Sequence, residues 1–372
     1  MPEHPEAARG HAAREAILAQ LASVQDPELR RGLVELGMIS RVDVQPGGPA
    51  VVGLKLTIEA CPKRGDLVAA VREASLRVVE DVDVEVTVMT PAERRDLVEQ
   101  VRGAERDIPF ARPESLTRVV AVASGKGGVG KSTVTANLAL AAAARGLRVG
   151  VIDADIYGFS IPPLLGVTEG PTKVEDLMLP PVVHGISVMS IGMFVGSDQP
   201  ISWRGPMLHR ALEQFLKDTH FGDLDVLLLD LPPGTGDVPI TVAQLLPGSG
   251  VLVVTTPQES AAAVAERSGA LAGQTGQRVL GVVENMSWLE AGGQRLEPFG
   301  SGGGEAVARR LTERLAESHP EGVQLLARLP LADEVRDLPA TGAHAPEFEA
   351  LAERLFGAPR GLSGRPLGLT PA

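Results

Sequence analysis

The sequence predicts an α/β fold: a mostly parallel sheet flanked by helices, preceded by a small N-terminal α+β domain. Three observations carry this reading. From residue 118 onward, short apolar runs alternate with helical stretches, the pattern of parallel strands joined by crossover helices. A glycine-rich octapeptide, residues 125–132, stands between one such apolar run and an Ala/Leu-rich helical run. Upstream, alternating apolar runs and amphipathic stretches fill about a hundred residues, enough for one small domain.

Each element follows from its pattern. A helical start is expected over Ala12–Val24, alternating strands over Ile39–Val44 and Val51–Ile58, a helix over Arg64–Val79 and a third strand over Val82–Met89. These make a small domain spanning 10–102. Residues 103–116 lack periodicity and carry Pro109 and Pro113, so they read as a linker. The large domain is expected over 117–356, with strands at 118–124, 148–153, 186–191, 225–230, 250–256, 279–284 and 323–329. Residues 357–372 are rich in Pro and Gly and are expected to be a disordered tail.

Composition bounds the function. The 372 residues include 44% hydrophobic and only 3% aromatic side chains, so the core must be aliphatic. A formal net charge of -12 argues against nucleic acid as the partner. No apolar run approaches the roughly 20 residues that span a bilayer, and the N-terminus shows no basic-then-apolar leader, so no membrane partner is expected. Cys61 is the one cysteine, which excludes an intrachain disulfide and makes a reducing cytoplasm the expected location.

The octapeptide Gly125-Lys126-Gly127-Gly128-Val129-Gly130-Lys131-Ser132 fits the phosphate-loop pattern G-x-x-x-x-G-K-[ST]. Such a strand–loop–helix unit directs backbone N–H groups and a helix N-terminus, here beginning near Thr133, at one point that suits a polyphosphate. Lys131 would reach the phosphates and the Ser132 hydroxyl would hold Mg²⁺. The chain has six lysines and two of them, Lys126 and Lys131, lie here, which points to a chemical need for ammonium groups.

Two further motifs close strands, where open α/β sheets place their ligands. Val151-Ile-Asp153-Ala-Asp155 brings two carboxylates that could orient an attacking water or sense Mg²⁺ through water, or else cap a helix. Leu227-Leu-Leu-Asp230 followed by Leu-Pro-Pro-Gly-Thr-Gly-Asp237 offers a metal-side carboxylate and a segment able to respond to a γ-phosphate. The run Gly300–Gly304 reads as a flexible lead into a helix from Glu305, since no lysine accompanies it.

Together, residues 125–132, Asp153-Ala-Asp-Ile-Tyr-Gly158, Trp203-Arg-Gly-Pro-Met207, Asp230-Leu-Pro-Pro-Gly-Thr-Gly-Asp237 and Glu284-Asn-Met-Ser287 resemble the Mrp/ApbC family of deviant Walker-A P-loop ATPases, which carry iron–sulfur clusters. Asp26-Pro-Glu28 and Thr57…Cys61-Pro62 resemble the small iron–sulfur assembly domain often fused to them. The resemblance implies binding and hydrolysis of ATP with Mg²⁺, a homodimer, and delivery of clusters to apo iron–sulfur proteins or exchange with assembly factors. It implies that Lys126 reaches the partner subunit's nucleotide, that Asp153 and Asp155 belong to the first switch, and that Asn285 closes the sixth strand and contacts adenine.

The chain departs from the family after Ser287. Carriers of this kind place a C-x-x-C pair there, two pairs giving the four thiolates of a bridging [4Fe–4S] cluster. Residues 287–300 contain no cysteine. Cys61 is then the only thiolate available as a cluster ligand, beside its ordinary alternative as a small buried hydrophobe. Pro62, Lys63, Arg64 and a helix start nearby predict a lowered thiol pKa. Three functional readings stay open: an ATPase that binds and transfers clusters; a dimer-switching ATPase whose cluster chemistry went with the C-x-x-C pair and which serves another client; and a nucleotide-binding scaffold without turnover, against which the Asp residues and Lys126 argue.

Overall fold

The computed structural model describes residues 5–44, 48–102, 107–156, 158–194, 205–336 and 345–357. Tyr157, Trp203, Arg204, residues 103–106 of the expected linker and residues 358–372 of the expected tail lie outside them.

The chain opens with α1 (Pro5–Leu21), β1 (Ile39–Asp43), β2 (Ala50–Leu56), α2 (Arg64–Leu76), β3 (Val82–Val88) and α3 (Pro91–Arg102). The three strands form one sheet, with β2 central, antiparallel to β1 and parallel to β3. The helix α3 was not foreseen. Its charged residues mask a narrow apolar stripe, Leu97, Val98 and Val101, which is what it buries.

The second half continues with β4 (Arg118–Ser124), α4 (Lys131–Ala144), β5 (Val149–Asp153), α5 (Ile161–Leu165), β6 (Thr172–Val174), β7 (Leu177–Leu179), β8 (Val182–Val183) and β9 (Ile186–Ser190). Then come α6 (Gly205–Asp218), β10 (Val226–Asp230), α7 (Asp237–Leu245), β11 (Gly250–Thr255), α8 (Glu259–Gln274), β12 (Arg278–Ala291) and β13 (Gln294–Leu296). The last elements are α9 (Gly303–Arg314), β14 (Leu325–Pro330), α10 (Asp333–Arg336) and α11 (Pro346–Phe356).

Nine strands order as β13-β12-β11-β4-β10-β5-β9-β8, with β14 beside β12. The inner strands β4, β5, β10 and β11 run parallel and are buried at nearly every position, which is why they read as continuous apolar runs rather than alternating ones. The chain passes from β4 across to β5 and later returns to fill the gap with β10, so the carboxyl ends of these three strands flank one crevice. No helix among the described residues is long and apolar enough to cross a membrane.

The chain forms two compact units, and their division differs from a single cut near residue 103. The small unit comprises residues up to 106 together with 172–179 and 218–222. The β6–β7 hairpin contributes Val174, Leu177 and Leu179 to the small unit's core. Arg94 bonds Glu175 at 2.9 Å, Arg102 bonds Asp176 at 2.7 Å and also Asp218, and the Thr172 hydroxyl donates to Glu28 at 3.0 Å. These short strands sit far along the chain from the domain they complete, so local pattern could not assign them.

Candidate nucleotide site

The phosphate loop runs from the end of β4 to the start of α4, and its glycines are dictated by neighbours. A Cβ on Gly125 would lie 2.3 Å from the backbone N of Ala265, so helix α8 can approach only a glycine. Gly130 combines φ +78° with the Asn285 amide, which would lie 2.3 Å from an added Cβ. The helix α4 begins without a side-chain cap, leaving its first N–H groups to an anion. These groups face a cavity of about 1040 Å³ lined by Lys126, Gly127, Gly128, Val129, Gly130, Lys131, Ser132 and Thr133, and on other sides by Asp155, Phe159, Leu208, Pro233 and Asp237.

Behind Lys131 and Ser132 three donors converge on Asp230, which is fully buried and not among the cavity-lining residues. Lys131 Nζ lies 2.8 Å from Oδ2, and the Ser132 hydroxyl donates to the same oxygen at 2.5 Å. The Thr135 hydroxyl donates to Oδ1 at 2.9 Å. Burying a carboxylate is costly unless it is paired and hydrogen-bonded. The Ser132 hydroxyl and the Asp230 carboxylate form a hard-oxygen pair within hydrogen-bond distance, and this donor chemistry fits Mg²⁺.

The two aspartates expected in a first switch differ in placement. Asp155 lines the cavity, 4.0 Å from Lys131 Nζ, and accepts the Gly158 N–H at 3.1 Å. Asp153 is fully buried and is not among the cavity-lining residues. Its Oδ1 accepts the Asp155 N–H at 3.2 Å; its Oδ2 accepts the Ile161 N–H at 3.1 Å and the Ser190 hydroxyl at 3.3 Å. It thus anchors the start of α5, the helix-capping alternative, and fixes the loop that carries Asp155. Burial and then the neighbouring Asp230 push its carboxyl up to about 7.

Lys126 also lines the cavity, its Nζ 3.4 Å from the Ser260 hydroxyl at the start of α8. Asn285 lies within β12 rather than at its end, because this strand continues to Ala291. Its amide donates to Val129 O at 2.9 Å, while its Oδ1 is buried with no partner. The next residue, Met286, holds φ +57°, a left-handed conformation rare for a residue with a side chain. Thr135 was missed in the sequence, although it lies one helical turn after Lys131 on the same face.

The run Gly300–Gly304 is not a loose lead. The helix α9 starts at Gly303, and the Gly304 N–H donates to the buried Glu284 carboxylate at 2.6 Å. Added Cβ atoms on Gly303 and Gly304 would meet Pro257 O at 2.5 Å and Glu284 Cβ at 2.8 Å, so close packing explains these glycines.

Cys61 lies half-buried in the turn before α2. Burial pushes its thiol above the ordinary value, and Glu28 and Asp26 add to this against a backbone bond from Lys63 and the Lys63 charge. The lowered pKa expected from nearby cations is therefore overturned: burial outweighs the Lys63 contributions, and Glu28 and Asp26 act in the same direction as burial. Asp26 takes the Glu28 and Leu29 N–H groups at 2.9 and 2.8 Å, a turn device that holds these acids in place. Where the C-x-x-C pair was expected, β12 and β13 form a hairpin with Arg295 stacked 4.6 Å from the Trp288 ring centre. Among the described residues no group of three or more His, Cys, Asp or Glu could hold a metal ion.

Comparison with known proteins agrees with this layout. A family model described as NUBPL iron-transfer P-loop NTPase matches residues 115–353, and one described as iron-sulfur cluster assembly protein matches 14–100. The chain is 50% identical to the iron-sulfur cluster carrier protein of Mycobacterium leprae, over 96% of this chain and 97% of that one. It is 40% identical to the protein of that name from Deinococcus radiodurans, over 94% and 95%. A solved nucleotide-binding protein from Archaeoglobus fulgidus in complex with ADP superposes with a TM-score of 0.52 at 35% identity, covering 64% of this chain and 96% of that chain. With the phosphate loop, Asp230 and the parallel sheet in place, the chain belongs to the NUBPL iron-transfer P-loop NTPase family, with an iron-sulfur cluster assembly domain at its N-terminal end.

Proposed function

We propose that this protein binds ATP, hydrolyses it with Mg²⁺, and carries iron–sulfur clusters to apo iron–sulfur proteins as a homodimer in the reducing cytoplasm. The observation that carries the reading is the convergence of Lys131, Ser132 and Thr135 on buried Asp230 behind the phosphate loop. Lys131 lies against Asp230. An incoming polyphosphate draws the ammonium to itself and is met by the loop N–H groups. Ser132 and Asp230 would hold Mg²⁺, which supplies charge neutralisation at the phosphates. Asp155, positioned by Asp153, orients the water that adds to the γ-phosphorus, and the products are ADP and inorganic phosphate. Lys126 serves the partner's nucleotide, and Asn285 presents its free Oδ1 to the adenine amino group.

The cluster is cargo. Cys61 is the thiolate this chain can offer, two per dimer, and added thiols or a client's cysteines complete the four corners. A second reading is favoured by the Trp288–Arg295 hairpin and by the raised thiol pKa: an ATPase cycle that has lost cluster binding and serves another client. Calorimetry with Mg-ATP on Lys131→Ala tests the nucleotide assignment; wild-type affinity in that variant would remove it. Cluster reconstitution separates the two readings.

A further inference from the structure

The geometry assigns Thr135 as the positioning residue of the divalent-cation site, acting through Asp230. Thr135 is fully buried on the second turn of α4 and is absent from the cavity wall. Its hydroxyl lies 2.9 Å from Asp230 Oδ1 and 3.0 Å from the Lys131 carbonyl. The other two donors, Lys131 and Ser132, both act on Oδ2 from the cavity side. The inference rests on the reading that Ser132 and Asp230 hold Mg²⁺ beside a nucleotide. When the phosphates take Lys131 and the cation takes Ser132, both donors on Oδ2 are withdrawn. Thr135 is then the donor that remains, fixing the rotation of the carboxylate from behind.

The hydroxyl has one proton and two acceptors within reach. Lys131 O needs it least, because the helix gives that carbonyl its own i→i+4 N–H partner. Removing the hydroxyl therefore leaves Asp230 Oδ1, not the helix, short of a bond. An outer bond of this kind is worth about 10–100-fold in metal affinity.

Full-length Thr135→Val, which keeps the shape, and Thr135→Ser, which restores the hydroxyl, provide the test. Binding of a fluorescent ADP is titrated with Mg²⁺ and repeated in EDTA, beside thermal melts. The expected result is a Mg²⁺ midpoint raised about tenfold or more in Thr135→Val, metal-free ADP affinity within about twofold of wild type, and recovery in Thr135→Ser. An unchanged Mg²⁺ midpoint in Thr135→Val overturns the assignment. So does an equal loss of ADP affinity in EDTA, or a Thr135→Ser protein that behaves like Thr135→Val. Should Thr135→Val not fold, the midpoint in Thr135→Ser decides: a wild-type value supports the assignment, and a raised one overturns it. A wild-type protein whose ADP binding ignores Mg²⁺ would instead remove the cation site itself.

Discussion

Asp153 and Asp230 are direct register partners on the adjacent parallel strands β5 and β10, and both are fully buried. Side chains in register on neighbouring parallel strands share a face, so two carboxylates are enclosed side by side. Lys131, Ser132 and Thr135 hold Asp230. Asp153 has hydrogen bonds but no cation as close, and its carboxyl moves up to about 7.

That shift makes stability depend on pH. The ordinary Asp value is 3.8. Between that value and about 7 the unfolded chain ionises at this position while the folded one stays protonated, so stability present below about pH 4 is lost as pH rises towards 7. The size is about 4 kcal/mol for a shift of this order. Asp153→Asn should flatten the slope in ligand-free protein, read by denaturant melts from pH 4 to 8. An unchanged slope would show that another group carries it.

The role proposed for Lys126 is the one that needs a second subunit. Lys126→Ala should keep ATP affinity and lose hydrolysis, as expected for an interaction made in the transition state. Mixing Lys126→Ala with Asp155→Ala should regain part of the activity, because one site of each heterodimer then has a full set. Mixtures no more active than the separate variants would contradict action across the interface.

The shared segments of the small unit predict the cost of truncation. Val174, Leu177 and Leu179 are buried in a core built mainly from residues 17–101. A chain starting at residue 107 exposes them, and Arg102 no longer pairs Asp176 and Asp218. That fragment should aggregate or melt well below the full chain, by light scattering and calorimetry. A fragment as soluble and stable as the full chain would show that the hairpin does not need the small domain.

The phosphate loop was legible because it is local: Gly125 through Ser132 lie on eight consecutive residues, and the chemistry fixes their spacing. The inner strands were legible because burial on both faces leaves uninterrupted apolar runs. What escaped depends on distant packing. Thr135 looks like any helical threonine until Asp230, 95 residues away, is brought to it. The Cys61 environment was misread because the neighbouring Lys63 and Arg64 are visible in sequence, whereas the burial of the thiol, and then Glu28 and Asp26, arrive through the fold. The hairpin at 288–296 turns at Gly292-Gly293, a local signal, but its strands lack the polar–apolar alternation that would mark them.

Cluster carriage through Cys61 is tested most directly by anaerobic reconstitution of wild type and Cys61→Ser side by side, with iron, sulfide and a small thiol, followed by charge-transfer absorbance and iron and sulfide quantitation. The raised thiol must lose its proton to ligate iron, so wild type should take up a labile cluster more fully at pH 8.5 than at pH 7, and Cys61→Ser should take up none. A stable cluster in Cys61→Ser, or none in wild type even with added thiol, would contradict the account.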